Sequence, residues 1–125
     1  MPQRFPGVME QPLYEIKANL FKALAHPARI RVLEILSVSA GPTPVSDILA
    51  ATEIEPTLLS QHLAVLKRHH VVSSHRVGNA VFYELAHPKI SELLVIAREF
   101  LADTLGGRRD QLEAMKTLPP VEPTR

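Results

Sequence analysis

Between Glu55 and Arg68 one helical repeat carries two opposed faces, and this pattern constrains the fold more than any other. Leu59, Leu63 and Leu66 recur at i, i+4 and i+7, the spacing that lines up one side of an α-helix. Thr57, Ser60, Gln61, Ala64 and Arg68 share the other side, and all but Ala64 can hydrogen-bond through their side chains. Such a helix must bury its leucines and leave hydroxyls and an amide facing outward. Lys67-Arg68-His69-His70 closes the segment, where cations complement the helix dipole. His70 is a tolerable residue for the left-handed position that often ends a helix, although glycine fills it with less strain.

After Val72 the period becomes two. Ser73-Ser74-His75-Arg76 leads to Val77-Gly78-Asn79-Ala80, and Val81, Phe82, Tyr83 and Leu85 lead away, so a hairpin with a Gly-Asn turn is expected. Upstream, Pro12 suits a first helical turn, and Leu13, Ile16, Leu20 and Leu24 follow at helical spacing with Tyr14 and Phe21 widening the apolar face. His26-Pro27 ends that helix, since the residue before proline leaves the α region. A second helix starts at Pro27 and carries Ile30, Leu33, Ile35 and Leu36; Gly41-Pro42-Thr43-Pro44 reads as a turn. Val45 to Ala51 is a short third helix, and Thr52 to Glu55 turns into the fourth, with Pro56 near its start. His87-Pro88 opens a fifth helix reaching Leu105, where Gly106-Gly107 interrupts it.

The expected division is a flexible arm over residues 1–11, one domain over 12–105 and a partly disordered extension over 106–125, with a short helical piece at Leu112 to Met115. At 125 residues the chain suffices for one core, and 46% hydrophobic with 22% charged residues is ordinary for a water-soluble fold. It has no cysteine, which removes disulfides and thiolate metal sites. No apolar run approaches the roughly 20 residues of a membrane span, and the start lacks a signal-peptide core, so a cytoplasmic location is expected. Neither a cysteine nucleophile nor a glycine-rich phosphate loop is present, and no serine, histidine and acid stand in a defensible catalytic set. An enzyme is not expected.

The net charge is only +1, but its distribution is uneven. Between Glu55 and Glu84 there is no acidic residue, whereas Lys67, Arg68, Arg76 and four histidines fall there. An acid-free stretch on a nearly neutral chain suits a polyanion such as double-stranded DNA.

The order of four helices, two strands and a last helix is that of a mostly α winged helix-turn-helix with a small β-hairpin wing. The chain resembles the ArsR/SmtB family of bacterial repressors through three segments. These are Phe21-Lys22-Ala23-Leu24-Ala25-His26-Pro27-Ala28-Arg29-Ile30-Arg31-Val32-Leu33, then Leu59-Ser60-Gln61-His62-Leu63-Ala64-Val65-Leu66, then Gly78-Asn79-Ala80-Val81-Phe82-Tyr83. The resemblance implies a sequence-specific transcriptional regulator, a repressor bound as a homodimer to an inverted-repeat operator. It implies that Thr57, Ser60 and Gln61 read bases. Gln pairs bidentately with adenine, and Ser or Thr bonds several base edges. Lys67, Arg68 and Arg76 would contact phosphates, and Asn79 would reach the minor groove or backbone from the wing tip. His62, between the leucines and the polar face, is either a DNA contact or a hydrogen-bonded boundary residue. Leu58 beside it is expected to be partly buried.

The first and fifth helices hold more apolar surface than one-sided burial uses. Leu13, Ile16 and Leu20 with Ile90, Leu94, Ala97 and Leu101 form the expected dimer stripes, joined by a second stripe of Leu93, Ile96 and Phe100. The resemblance implies dimerisation through these two helices, which would set the reading helices about 34–36 Å apart.

Many relatives respond to metal, but the cysteines of the third-helix site are replaced by Pro44-Val45-Ser46. At the fifth-helix site His87 stands near the start, while Arg98 and Leu101 fall where the later ligands belong. No cofactor is expected. The six histidines still leave open a divalent transition-metal site of imidazoles, and hence a metal-responsive regulator. A winged-helix protein-interaction module, or regulation by a protein partner, is the other alternative.

Overall fold

The structure is a computed structural model that describes residues 11–105. The expected arm, apart from Gln11, and the expected extension with its helical piece lie outside the described residues. Along the chain run α1 (Leu13–Leu24), α2 (Pro27–Val38), β1 (Thr43–Pro44), α3 (Val45–Thr52), α4 (Pro56–Arg68), β2 (Val72–Val77), β3 (Ala80–Leu85) and α5 (Pro88–Leu105).

Local chemistry explains most boundaries. Glu15 in the first turn of α1 and Lys22 in the last both complement its dipole. His26 is extended, as a residue before proline should be, and its Nδ1 accepts the Ala28 N–H at 3.1 Å. With Pro27 in the first turn, one His-Pro pair ends α1 and caps α2. Glu55 caps α4 likewise, accepting the Leu58 N–H at 2.9 Å.

The end of α4 is a Schellman motif. Val71 N–H bonds Leu66 O at 2.9 Å, His70 N–H bonds Lys67 O at 3.0 Å, and His70 has a φ of 61°. Leu66 and Val71, both buried, close it on the inside.

Thr43-Pro44 is a short strand rather than only a turn, pairing antiparallel with β3 as Thr43↔Tyr83 and Pro44↔Phe82. The sheet is three-stranded in the order β1-β3-β2. Pro44 is tolerated because β1 is an edge strand, where a missing N–H breaks no ladder. β2 and β3 form the expected hairpin, with Val77 opposite Ala80 and Gly78 at a φ of 61°. A positive φ at the first turn residue is what a two-residue hairpin loop requires.

The core lies between α2, α4 and the base of the hairpin. Val32, Leu33, Ile48, Leu59, Leu63, Leu66, Val71 and Val72 are almost wholly buried. Each of the three α4 leucines contributes about 1.5–3 kcal/mol by burial, so α4 is pinned by its inner face. α2 is the central rod, packing against α3, α4, α5 and β3. Arg31 of α2 donates to Ala51 O at 3.1 Å and so ties down the end of α3. No helix among the described residues is long and apolar enough to cross a membrane.

Candidate nucleic-acid interface

α4 is divided as its sequence requires. Leu59, Leu63 and Leu66 face inward, whereas Thr57, Ser60, Gln61, Ala64, Lys67 and Arg68 are exposed. Pinning by leucines fixes which way the hydroxyls and amide point. Leu58 differs from expectation: it is 45% exposed at the outer start of the helix. Arg76 and Asn79 are exposed on the wing, with Asn79 in its turn. Ser60 and Asn79 line one open cleft of about 460 Å³ between α3, α4 and the wing, together with Ser46 and Tyr83. Sequence spacing does not reveal that grouping, which needs β1 and β3 paired to bring the wing beside α4.

His62 is withdrawn from the set of DNA contacts. It is only 5% exposed, so its ring cannot reach a ligand outside α4. Its Nδ1 accepts the Arg29 Nε–H at 3.2 Å, and its ring meets that of His26 at 4.4 Å between centroids. Its Nε2 is buried without a partner, at a cost of about 1–3 kcal/mol for such a group. Burial first, then the His26 and Arg29 charges, holds its pKa below the ordinary value near 6.5. Arg29 also donates from Nη1 to Ala23 O at 3.0 Å. Sequence reasoning missed this arginine as a structural link, because it lies 33 positions from His62.

At the start of α4 the Glu55 carboxylate sits against backbone donors. The Leu58 N–H and then the Thr57 N–H hold its pKa below the usual carboxylate value. It therefore stays ionised and stiffens the turn that presents Thr57.

The remaining histidines are spread over separate tasks. His69 Nδ1 lies 3.0 Å from Val65 O, His87 Nδ1 accepts the Lys89 N–H at 3.0 Å, and His75 stacks on Phe82 at 5.5 Å. Among the described residues no three His, Cys, Asp or Glu side chains group closely enough to hold a metal. Pro44 has no donor side chain, and Ser46 offers only a hydroxyl, so this set does not fit a thiolate-type metal site.

A second surface is apolar. Leu13, Tyr14 and Phe21 of α1 and Val95, Ile96, Phe100 and Leu101 of α5 are each between 48% and 73% exposed. Of the expected stripes, Leu13, Ala97 and Leu101 are exposed and Ile16 is half-buried. Leu20, Ile90 and Leu94 instead pack against the core, because α5 lies over α2 and β3 with that side inward. Leu93 of the second stripe packs inward as well, so the outward apolar surface of α5 is its later part, Val95, Ile96, Phe100 and Leu101, drawn from both stripes.

Residues 26–74 match the bacterial regulatory protein, arsR family. The chain is 47% identical over 109 residues to the HTH-type transcriptional regulator Rv0081 of Mycobacterium tuberculosis, covering 85% of this chain and 92% of that protein. The crystal structure of Rv0081 superposes with a TM-score of 0.71, covering 79% of this chain and 98% of that one. The transcriptional repressor SdpR of Bacillus subtilis is 36% identical over 67 residues, 54% of this chain and 72% of SdpR. The solution structure of Mb0332 from Mycobacterium bovis is described as a homodimeric winged helix-turn-helix DNA-binding domain. It matches at a TM-score of 0.68 and 25% identity, over 81% of this chain and 96% of that one. With α3 and α4 as its helix-turn-helix and β2-β3 as its wing, the chain belongs to the arsR family of bacterial transcriptional regulators.

Proposed function

We propose that this chain is a dimeric repressor that reads an inverted-repeat operator with α4 and acts in the cytoplasm. The observation that carries it is the outward face of α4, polar and free of acids, held in place by three buried leucines on the other side. Thr57, Ser60 and Gln61 read base edges in the major groove, and exposed Leu58 meets a thymine methyl. Lys67, Arg68 and Arg76 neutralise phosphates, and Asn79 contacts the backbone from the wing. The exposed apolar faces of α1 and α5 pair two copies, consistent with the homodimer described for Mb0332. Two reading helices related by a two-fold axis then meet successive major-groove faces, about one helical turn apart. The donor set argues against regulation through the thiolate metal site.

The test is selection of duplexes from a random pool, followed by a salt titration of the winner. An inverted repeat with half-sites about one turn apart is expected, with affinity falling steeply as salt rises. Recovery of no preferred sequence, or affinity indifferent to salt, would refute the assignment.

A further inference from the structure

We propose that Arg29 and His62 form a proton-sensitive tether that holds α4 in its reading orientation, so that acidification weakens DNA binding. The inference rests on the DNA-reading role proposed for α4 and adds a means of regulating it.

Arg29 spans three helices. It belongs to α2, donates from Nη1 to Ala23 O at the end of α1, and donates from Nε to His62 Nδ1 on α4. A guanidinium has no acceptor, so the Nδ1 it meets must carry a lone pair, and His62 is neutral with its proton on Nε2. Protonation would set an Nδ1–H against the Arg29 Nε–H across 3.2 Å. Two donors of like charge cannot share that contact. The arginine must then leave His62, and its hold on Ala23 O weakens with it.

The surroundings give the charged ring no compensation. The groups acting on His62 are His26, the cap of α2, and Arg29, and both oppose added positive charge. α1 contributes the Ala23 carbonyl, already bound to Arg29. β2, which also packs against α4, carries His75 and Arg76, both exposed and neither among the groups acting on this ring. Nε2 is buried without a partner among the described residues, so none of them offers an acceptor to the ring in its protonated form. His62 lies between Gln61 and Leu63, so any shift of the ring moves the segment that presents the reading face.

The sign follows from the lowered pKa. The folded, tethered state binds the proton less readily than the released or unfolded chain. The tether's contribution is fully present above the ordinary histidine value near 6.5 and is lost as pH falls through the lower value that His62 has in the folded chain. Exposed His70 and His75 and half-buried His69 belong to the same acid-free stretch and are unchanged in a variant at position 62. The informative quantity is therefore the difference between the wild type and a variant at position 62.

His62→Asn keeps an acceptor near the position of Nδ1 and cannot protonate. Its affinity for the duplex selected from the random pool is measured by fluorescence anisotropy from about pH 8 to about pH 5.5 at fixed salt. Relative to the variant, the wild type is expected to lose about fivefold or more in affinity toward acid. Parallel profiles would overturn the tether. Urea unfolding without DNA over the same range should show a steeper acid loss of stability in wild type than in His62→Asn, and equal slopes would also overturn it. A duplex bound at no pH would refute the reading role of α4 instead, leaving the unfolding comparison to decide the tether. If His62→Asn does not fold, NMR titration of the wild-type His62 ring decides: a midpoint below the ordinary histidine range supports the tether, and one at or above it refutes it.

Discussion

His70→Gly should stabilise the protein, although it removes a whole side chain at the end of the proposed reading helix. His70 holds a φ of 61°, where a residue with a Cβ is strained by about 1–2 kcal/mol relative to its preferred conformations. Glycine removes that strain but brings about 0.5–1 kcal/mol of extra freedom to the unfolded chain. The two bonds that build the cap use backbone atoms alone, His70 N–H to Lys67 O and Val71 N–H to Leu66 O, so the substitution leaves both. The ring is exposed and surrenders little packing. The net gain is about 0.5–1 kcal/mol, or about 2–8 °C in Tm for a domain of this size. Differential scanning calorimetry at neutral pH reads it directly. His70→Ala is the control, since it keeps the Cβ and should gain nothing. If alanine stabilises as much as glycine, or glycine destabilises, the backbone argument is wrong and the imidazole itself matters.

Gln61→Ala should weaken specific binding by about 1–3 kcal/mol in a gel-shift assay while sparing non-specific duplex; equal loss on both would deny it a base contact. Arg68→Ala should weaken both alike and lower the salt slope by about 1, and an unchanged slope would remove it from the phosphate set. Phe100 is 64% exposed on α5, so Phe100→Glu should yield a monomer in analytical ultracentrifugation with little change in helical content. A persisting dimer would place the seam elsewhere. Glu55→Gln should lower Tm at neutral pH, because the ionised carboxylate caps α4. Its pKa is depressed, so this contribution is present above about 4.5 and fades as pH falls through the lower folded value. Thermal melts across that range should show a shallower acid decline in the variant, and identical declines would count against the cap.

Legibility followed from how local each cause was. Leu59, Leu63 and Leu66 declare their face within two turns of helix, and Gly78-Asn79 declares its turn within two residues. His26-Pro27 marks a boundary through a steric clash between neighbours. Thr43-Pro44 was misjudged because two residues carry no period and proline reads as a breaker, while the strand exists only through its pairing with Tyr83 and Phe82. His62 was ambiguous for a related reason. A polar residue beside a leucine stripe is buried or exposed according to what arrives opposite, and Arg29 and His26 arrive from another helix. Both stripes of α5 are visible in the sequence, yet which residues of each face the core depends on where α5 crosses α2 and β3, and there Ile90, Leu93 and Leu94 turn inward.

Composition and periodicity alone determined the order of the helices and hairpin, the buried side of α4, and the chemistry offered on its other side. These are set by short-range sterics and by the 3.6- and 2-residue repeats, which need no knowledge of distant partners. Tertiary packing alone decided that His62 turns inward to a guanidinium, that Leu20, Ile90 and Leu94 belong to the core, and that Ser60 and Asn79 share one cleft. Each depends on contacts between residues far apart in sequence, which only the packed chain brings together.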